Sequence, residues 1–183
     1  MDFRLRTRSD IPRCVSTLKL VHSADRYPYQ WPHDPIAWLN PAGSLIAWVA
    51  EDKGTDTILG HVCVVYGPGS QILASVPGIG SHQRASVSRL FVSPAARGQG
   101  LSLGKSLLRI AQTWAEANDL TLTLDVVDDG GPAVELYERL GWRLLDLVEA
   151  EWRTPEGNHP KIRVYQAPPV PAPAAPEATS TSV

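Results

Sequence analysis

The sequence predicts an α/β (α+β) fold with one mixed, mostly antiparallel central sheet of six to seven strands and helices on both faces. Three observations carry this. Two pairs of apolar runs, "SLIAWVAE" with "TILGHVCVVYG" and "RLLDLVEAEW" with "KIRVYQ", flank the turn-rich stretches "DKGTD" and "TPEGNHP", as antiparallel hairpins do. Residues 101–117 lie between two further β runs and repeat apolar positions at helical spacing, which makes them a crossover helix. A hydrophobic fraction of 43% with 20% charged residues in 183 suits one soluble globular domain able to bury a substantial core.

Taken in order, "FRLRTR" is a strand that stops at Ser9-Asp10. A helix follows to about His22, with Asp10 as N-cap and Pro12 in its first turn. The stretch "SADRYPYQWPHDPIAWL" crowds Tyr27, Tyr29, Trp31 and Trp38 among three prolines. It reads as an aromatic loop with one short helix near residues 34–39. The first hairpin comes next, then a flexible Gly/Pro/Ser segment over residues 67–85, then the strand "SVSRLFVS".

In the crossover helix Leu103, Leu107, Ile110 or Ala111 and Trp114 share a face. "LTLTLDVV" is long and apolar enough for a central strand, and "DDGGPAVELYERLGW" is a short helix with Gly141 as its C-cap candidate. The last hairpin could pair its exposed edge with a second copy of the chain, so a homodimer is one expectation. From Ala167 onward, five prolines and few large apolar residues predict a disordered tail on a domain of residues 1–166.

A net charge of -2 excludes a strong field towards nucleic acid or anionic lipid, so neither is an expected partner. The charged N-terminus and the lack of an apolar run long enough for a span point to the cytoplasm and away from membranes. Cys14 and Cys63 lack metal-ligand or disulfide spacing and read as small core residues; no metal is expected.

The stretch "ARGQGLSLGKSLL" carries the chemistry. Its tail, Gly104-Lys105-Ser106, ends like a Walker A loop, but the first glycine of that motif would fall on Gln99. "LTLDVVDD" would have to supply the magnesium-binding Asp125, and the loop arrives only after half the chain, between hairpins. A P-loop nucleotidase is therefore a distant third reading. The head of the stretch, Arg97, Gly98, Gln99, Gly100, Leu101 and Ser102, reads as a loop whose successive amides grip a pyrophosphate at a helix N-terminus, with Arg97 adding charge at the rim.

Together, "SRLFVSPAARGQGLSLGKSLL", "LTLDVV" and "AVELYERLGW" resemble the GNAT superfamily of acetyl-CoA-dependent N-acetyltransferases. Arg97, Gly100 and Ser102 fall on the family's [QR]-x-x-G-x-[GA] loop, and Leu136-Tyr137 with Gly141-Trp142 fall on its second signature. The resemblance covers residues 44–165 by element order; Ser102 stands where the family has Gly or Ala, and the helix could start at Ser102 or Gly104. The family's Asn ahead of the last helix aligns near Gly130, leaving Asp128 and Asp129 as polar groups there.

The resemblance implies acetyl-CoA as co-substrate and an N-acetyltransferase acting on a primary amine of a small molecule or peptide. It implies that the strand carrying Leu90, Phe91 and Val92 splays from the strand of residues 121–127 to hold the pantetheine arm, with an amide near Val92 as oxyanion donor. Tyr137 matches the general acid. The place of the usual Glu base is Ser88, so base candidates are Asp125, His33, Asp34 and His61. The aromatic loop falls where the family forms its acceptor wall, which implicates Tyr29, Trp31 and His33. Ser88 also motivates a second reading, a non-catalytic acyl-CoA-binding or sensory domain of the same fold.

Overall fold

A computed structural model describes residues 1–76, 84–154 and 156–169. Seven strands form one sheet: β1 (Asp2–Leu5), β2 (Ser44–Asp52), β3 (Thr57–Tyr66), β4 (Arg84–Val92), β5 (Thr121–Val127), β6 (Arg143–Glu149) and β7 (Lys161–Gln166). Their spatial order is β1-β2-β3-β4-β5-β7-β6. Every pairing is antiparallel except β4 with β5, which the crossover α4 (Leu103–Ala117) joins in parallel. The expected mixed sheet is therefore present at seven strands. Helices α1 (Ile11–Asp25) and α2 (Pro35–Leu39) cover one side, and α3 (Gln71–Ser75) and α5 (Pro132–Arg139) complete the set.

Helix α4 buries Leu107, Leu108, Ala111 and Ala115, with i, i+4 spacing, against Val62, Val64, Ala85 and Leu124 of the sheet, and its first residue Leu103 against Ala50 and Ala96. On the other face Cys14, Leu18 and Val21 of α1 pack with Leu39, Ile58 and Phe91. Glycine at position 60 lets α4 lie close, since a Cβ there would stand 2.9 Å from Leu107. Both cysteines are buried and free. Burial pushes the Cys14 thiol up to about 12, which removes it as a nucleophile.

The structure corrects several expectations. α1 runs on to Asp25 and stops at Arg26, whose φ of 55° is left-handed. The segment expected to be flexible holds α3, capped by the Ser70 hydroxyl accepting from Leu73 N at 3.1 Å; its residues 77–83 lie outside the described set. Ala167, placed in the tail, still donates to Leu122 O at 2.9 Å and packs on the main core. The tail expectation from residue 170 lies outside the described residues.

Asp10 does not cap α1 with its side chain. Its carboxylate, 1% exposed, accepts from Thr7 N and Oγ1 and from Arg4 at 2.7 and 2.8 Å, and it also pairs with Arg13. Glu51 on β2 binds the same two arginines, so the cluster ties β1, α1 and β2 together. Asp10→Ala should cost about 3 kcal/mol, the low end for breaking a buried pair because Arg4 and Arg13 keep Glu51 and some solvent; the urea midpoint measures it. Arg4 above all holds both carboxyls down, Glu51 to about 2 and Asp10 lower still. With folded values depressed, this stabilisation is complete above the ordinary carboxylate range near ~4.5 and is lost as pH falls through the folded values. Urea midpoints at pH 5 and pH 3 should therefore differ more in the wild type than in Asp10→Ala.

Candidate active site

β4 and β5 pair only at Arg84↔Thr121, Ala85↔Leu122 and Ser86↔Thr123. Beyond Ser86 the β4–β5 ladder stops, while β5 stays paired along its other edge with β7 from Thr123 to Val127. A cleft of about 370 Å³ opens there, lined by Ser88, Arg89, Leu90, Asp125 and Tyr137 among others. This is the splaying that the family resemblance implied.

A bulge shapes the β4 wall. His61↔Phe91 and Cys63↔Ser88 are successive pairs, so β4 carries one residue more than β3, and Arg89 takes it up at φ 55°. Val87 and Phe91, four apart, would share a face in a regular strand. Here Val87 joins the α4 cluster and Phe91 the α1 cluster. His61 locks the bulge: Arg6, which can only donate, meets Nε2 at 2.9 Å, so Nδ1 carries the proton and donates to Arg89 O at 2.8 Å. Burial first, then the two arginines, pushes the His61 pKa down to about 3. His61 is thus a neutral structural group stacked on Phe91, not a base facing the cleft.

At the end of β4, Ser93 N donates to Leu59 O at 2.7 Å. By strand alternation the Val92 amide faces the other way, into the gap that β5 has left. The next residues form a 3-10 turn, Pro94–Ala96, and then the glycine loop. Gly98 and Gly100 have φ of 71° and 72°, and a Cβ on either would meet nothing within 4 Å. Both are left-handed turns with an open approach to their amides. α4 starts at Leu103 with Ser102 as a left-handed N-cap at φ 48°, which settles the helix start one residue after Ser102. Its dipole end and first free amides face the loop.

Arg97 is exposed beside the loop, and its charge is engaged within the protein. Its guanidinium donates to Val92 O at 2.8 and 3.1 Å and pairs with Asp25 at the end of α1. The Walker residues also go elsewhere. A Cβ on Gly104 would lie 3.1 Å from Leu136 on α5, so that glycine serves close packing, and Lys105 lines a separate groove with Phe3, Trp48 and Arg109.

Tyr137 lies in the cleft wall, 6% exposed, its ring 5.7 Å from Trp142 and 5.9 Å from Tyr165. Burial first, then Tyr27, Asp125 and Tyr165, pushes its hydroxyl well above the ordinary tyrosine range. Asp125 lines the same cleft from β5; burial raises its pKa against the opposing pull of Ser70 and Arg89. Asp34 caps α2, accepting from Ile36 N and Ala37 N at 2.9 Å. Asp128 is paired with Arg163 at 2.7 Å.

Of the aromatic-loop residues expected at the acceptor wall, Tyr29 reaches the cleft, touching Trp152 at 5.1 Å. Trp31 instead packs on His22 at 5.4 Å and on the α1 core, and exposed His33 is not among the lining residues. Tyr27 and Trp38 complete that wall, edge to face at 5.9 Å; burial raises the Tyr27 hydroxyl to about 12. Sequence reasoning missed Arg89, whose role depends on the bulge, and Trp152, which arrives from the β6–β7 connection.

A splayed parallel pair, a glycine loop at the head of the crossover helix and a tyrosine in the gap define an acyl-group transferase fold and site. The chain belongs to the acetyltransferase (GNAT) family, whose model matches residues 15–142. Solved structures agree in fold. NAA60 from Arabidopsis thaliana in complex with acetyl-CoA superposes with a TM-score of 0.65 at 18% identity, over 90% of this chain and 96% of that one. The ribosomal-protein-S18-alanine N-acetyltransferase from Escherichia coli gives 0.67 at 17% over 94% and 96%. A putative phosphinothricin N-acetyltransferase gives 0.67 at 17% over 92% and 98%. No curated protein sequence matches the chain. Among the described residues no helix is long and apolar enough to cross a membrane.

Proposed function

We propose that this enzyme moves the acetyl group of acetyl-CoA directly to a primary amine of a small molecule or peptide, without a covalent enzyme intermediate. One observation carries the reading: β4 and β5 stop pairing after Ser86, which frees an edge of β4 beside a cleft lined by Tyr137, and the same strand leads on into the glycine loop with its open approach. Amides from Gly98 to Leu103 would hold the pyrophosphate. The β4 backbone at Leu90, Phe91 and Val92 would hold the pantetheine, with the Val92 amide directed at the thioester oxygen.

In the transfer, an ammonium acceptor first gives a proton to a base; Asp125 is the carboxylate of the gap placed for this, directly or through water. The amine nitrogen then bonds to the thioester carbon and the carbon–sulfur bond breaks. The leaving sulfur takes a proton from Tyr137, the nitrogen's second proton restores Tyr137 through solvent, and the base gives the first proton to solvent, so the products are the amide, free coenzyme A and one released proton. That the E. coli neighbour acetylates a protein alanine and another is named for phosphinothricin supports an amine acceptor of either size class.

Titration with acetyl-CoA and, separately, with ATP plus magnesium tests the reading. Micromolar acetyl-CoA binding, no ATP binding and amine-dependent release of free thiol are expected. Binding of ATP with no acetyl-CoA binding would overturn it.

A further inference from the structure

Among the described residues, one cation of the cleft has no anion. Arg89 is fixed at every point short of its tip: its backbone by the bulge and His61, its Nε by donation to Trp38 O at 2.9 Å, and its guanidinium by lying 4.1 Å over the Trp38 ring. With Nε spent on that carbonyl, the two terminal nitrogens find no hydrogen-bond acceptor and no carboxylate among the described residues. The other cleft charges are engaged: Arg26 with Glu156, Asp25 with Arg97, and Asp129 with the Gly131 amide. Asp125 lies on the opposite wall, near enough for Arg89 to favour its charged form yet not in contact with it.

A planar fork already stacked and oriented has lost most of the freedom that carboxylate binding would otherwise cost it. It matches a carboxylate through two parallel charge-assisted bonds. An amine between the two walls would meet Asp125 on one side, while its own anion reached Arg89 on the other. Tyr27, Trp38 and Tyr29 supply aromatic faces for an apolar side chain, and about 370 Å³ suits a small molecule.

Resting on the acetyl-transfer reading above, we infer that the acceptor is a free amino acid with an apolar or aromatic side chain, its carboxylate on the Arg89 fork and its amine at Asp125. The bond changes are those already written: the amino nitrogen is acylated, coenzyme A leaves as the thiol, and the carboxylate is untouched. Arg89 is a specificity-determining residue in this arrangement.

The test compares thiol release with L-leucine, L-phenylalanine and L-tryptophan against their carboxamides and against short peptides with the same N-terminal residue. The free acids should be favoured in kcat/KM by about 10- to 100-fold, the range for a lost charge-assisted pair. In Arg89→Met that ratio should fall towards one through a rise in KM for the acids, and Arg89→Lys, which keeps the charge but not the fork, should recover part of it. Carboxamides or peptides used as well as the free acids by the wild type would overturn the inference, a result that needs no variant. So would acetyl-CoA binding with no turnover of the acids. Failure to bind acetyl-CoA at all would overturn the acetyl-transfer reading itself, which separates the two failures.

Discussion

Tyr137→Phe should lower kcat about 100-fold or more while acetyl-CoA affinity changes by no more than a few-fold. The ring is nine-tenths buried between Trp142 and Tyr165, and Phe keeps that packing. Among the described residues no group is hydrogen-bonded to the hydroxyl, so the substitution removes no structural bond. What it removes is a proton donor in the gap where the leaving sulfur gains charge, and such donors contribute about 10²–10⁴-fold. Burial raises the hydroxyl above the ordinary tyrosine range, so the donor form is the one present at neutral pH. Steady-state kinetics should show kcat and kcat/KM falling together, the mark of an interaction made only in the transition state. Unchanged turnover would mean that water protonates the sulfur and that Tyr137 is a packing residue.

Gly100→Val should reduce acetyl-CoA affinity by about 10- to 100-fold while lowering stability by no more than about 1–2 kcal/mol. At φ 72° a β-branched residue is strained, at a cost of about 1–2 kcal/mol, yet its Cβ would meet nothing in the free protein. The side chain would stand in the open approach to the loop amides, and each charge-assisted bond lost there is worth about 1.5–3 kcal/mol. Calorimetric titration measures the first effect and a melting curve the second. A Gly100→Val protein that binds acetyl-CoA as the wild type does would place the pyrophosphate elsewhere. Lys105→Met, by contrast, should leave affinity unchanged because Lys105 lines the groove beside Trp48, away from the loop.

Elements were legible wherever a periodic apolar pattern ran long enough. The α4 stripe, the two hairpins and the β5 run all appear where residue spacing places them. α3 was not, because five residues inside a Gly/Ser stretch carry only Ile72 and Leu73 as signal and depend on the Ser70 cap. Of the proposed site, the left-handed loop glycines and the tyrosine in the cleft wall could be read because their signal is local: a backbone that must turn left-handed, or a hydroxyl in a short motif.

The partners of those groups could not be read. Arg97 turns back to Asp25, 72 residues earlier, and Trp152 meets Tyr29 across more than a hundred. Arg89 looks like any strand residue until the register with β3 forces an extra residue into the bulge and aims its side chain at Trp38.

By itself, then, the sequence determined the order and kind of the elements other than α3, the glycine-rich loop and the tyrosine proposed as the acid, since each follows from the conformational preference or periodicity of a few neighbouring residues. Only the tertiary structure decided that β4 and β5 part after Ser86, which side chains line the gap, and that among the described residues Arg89 is the cation left unpaired there. Strand register and long-range charge pairing are set by packing between distant segments, and no local pattern encodes them.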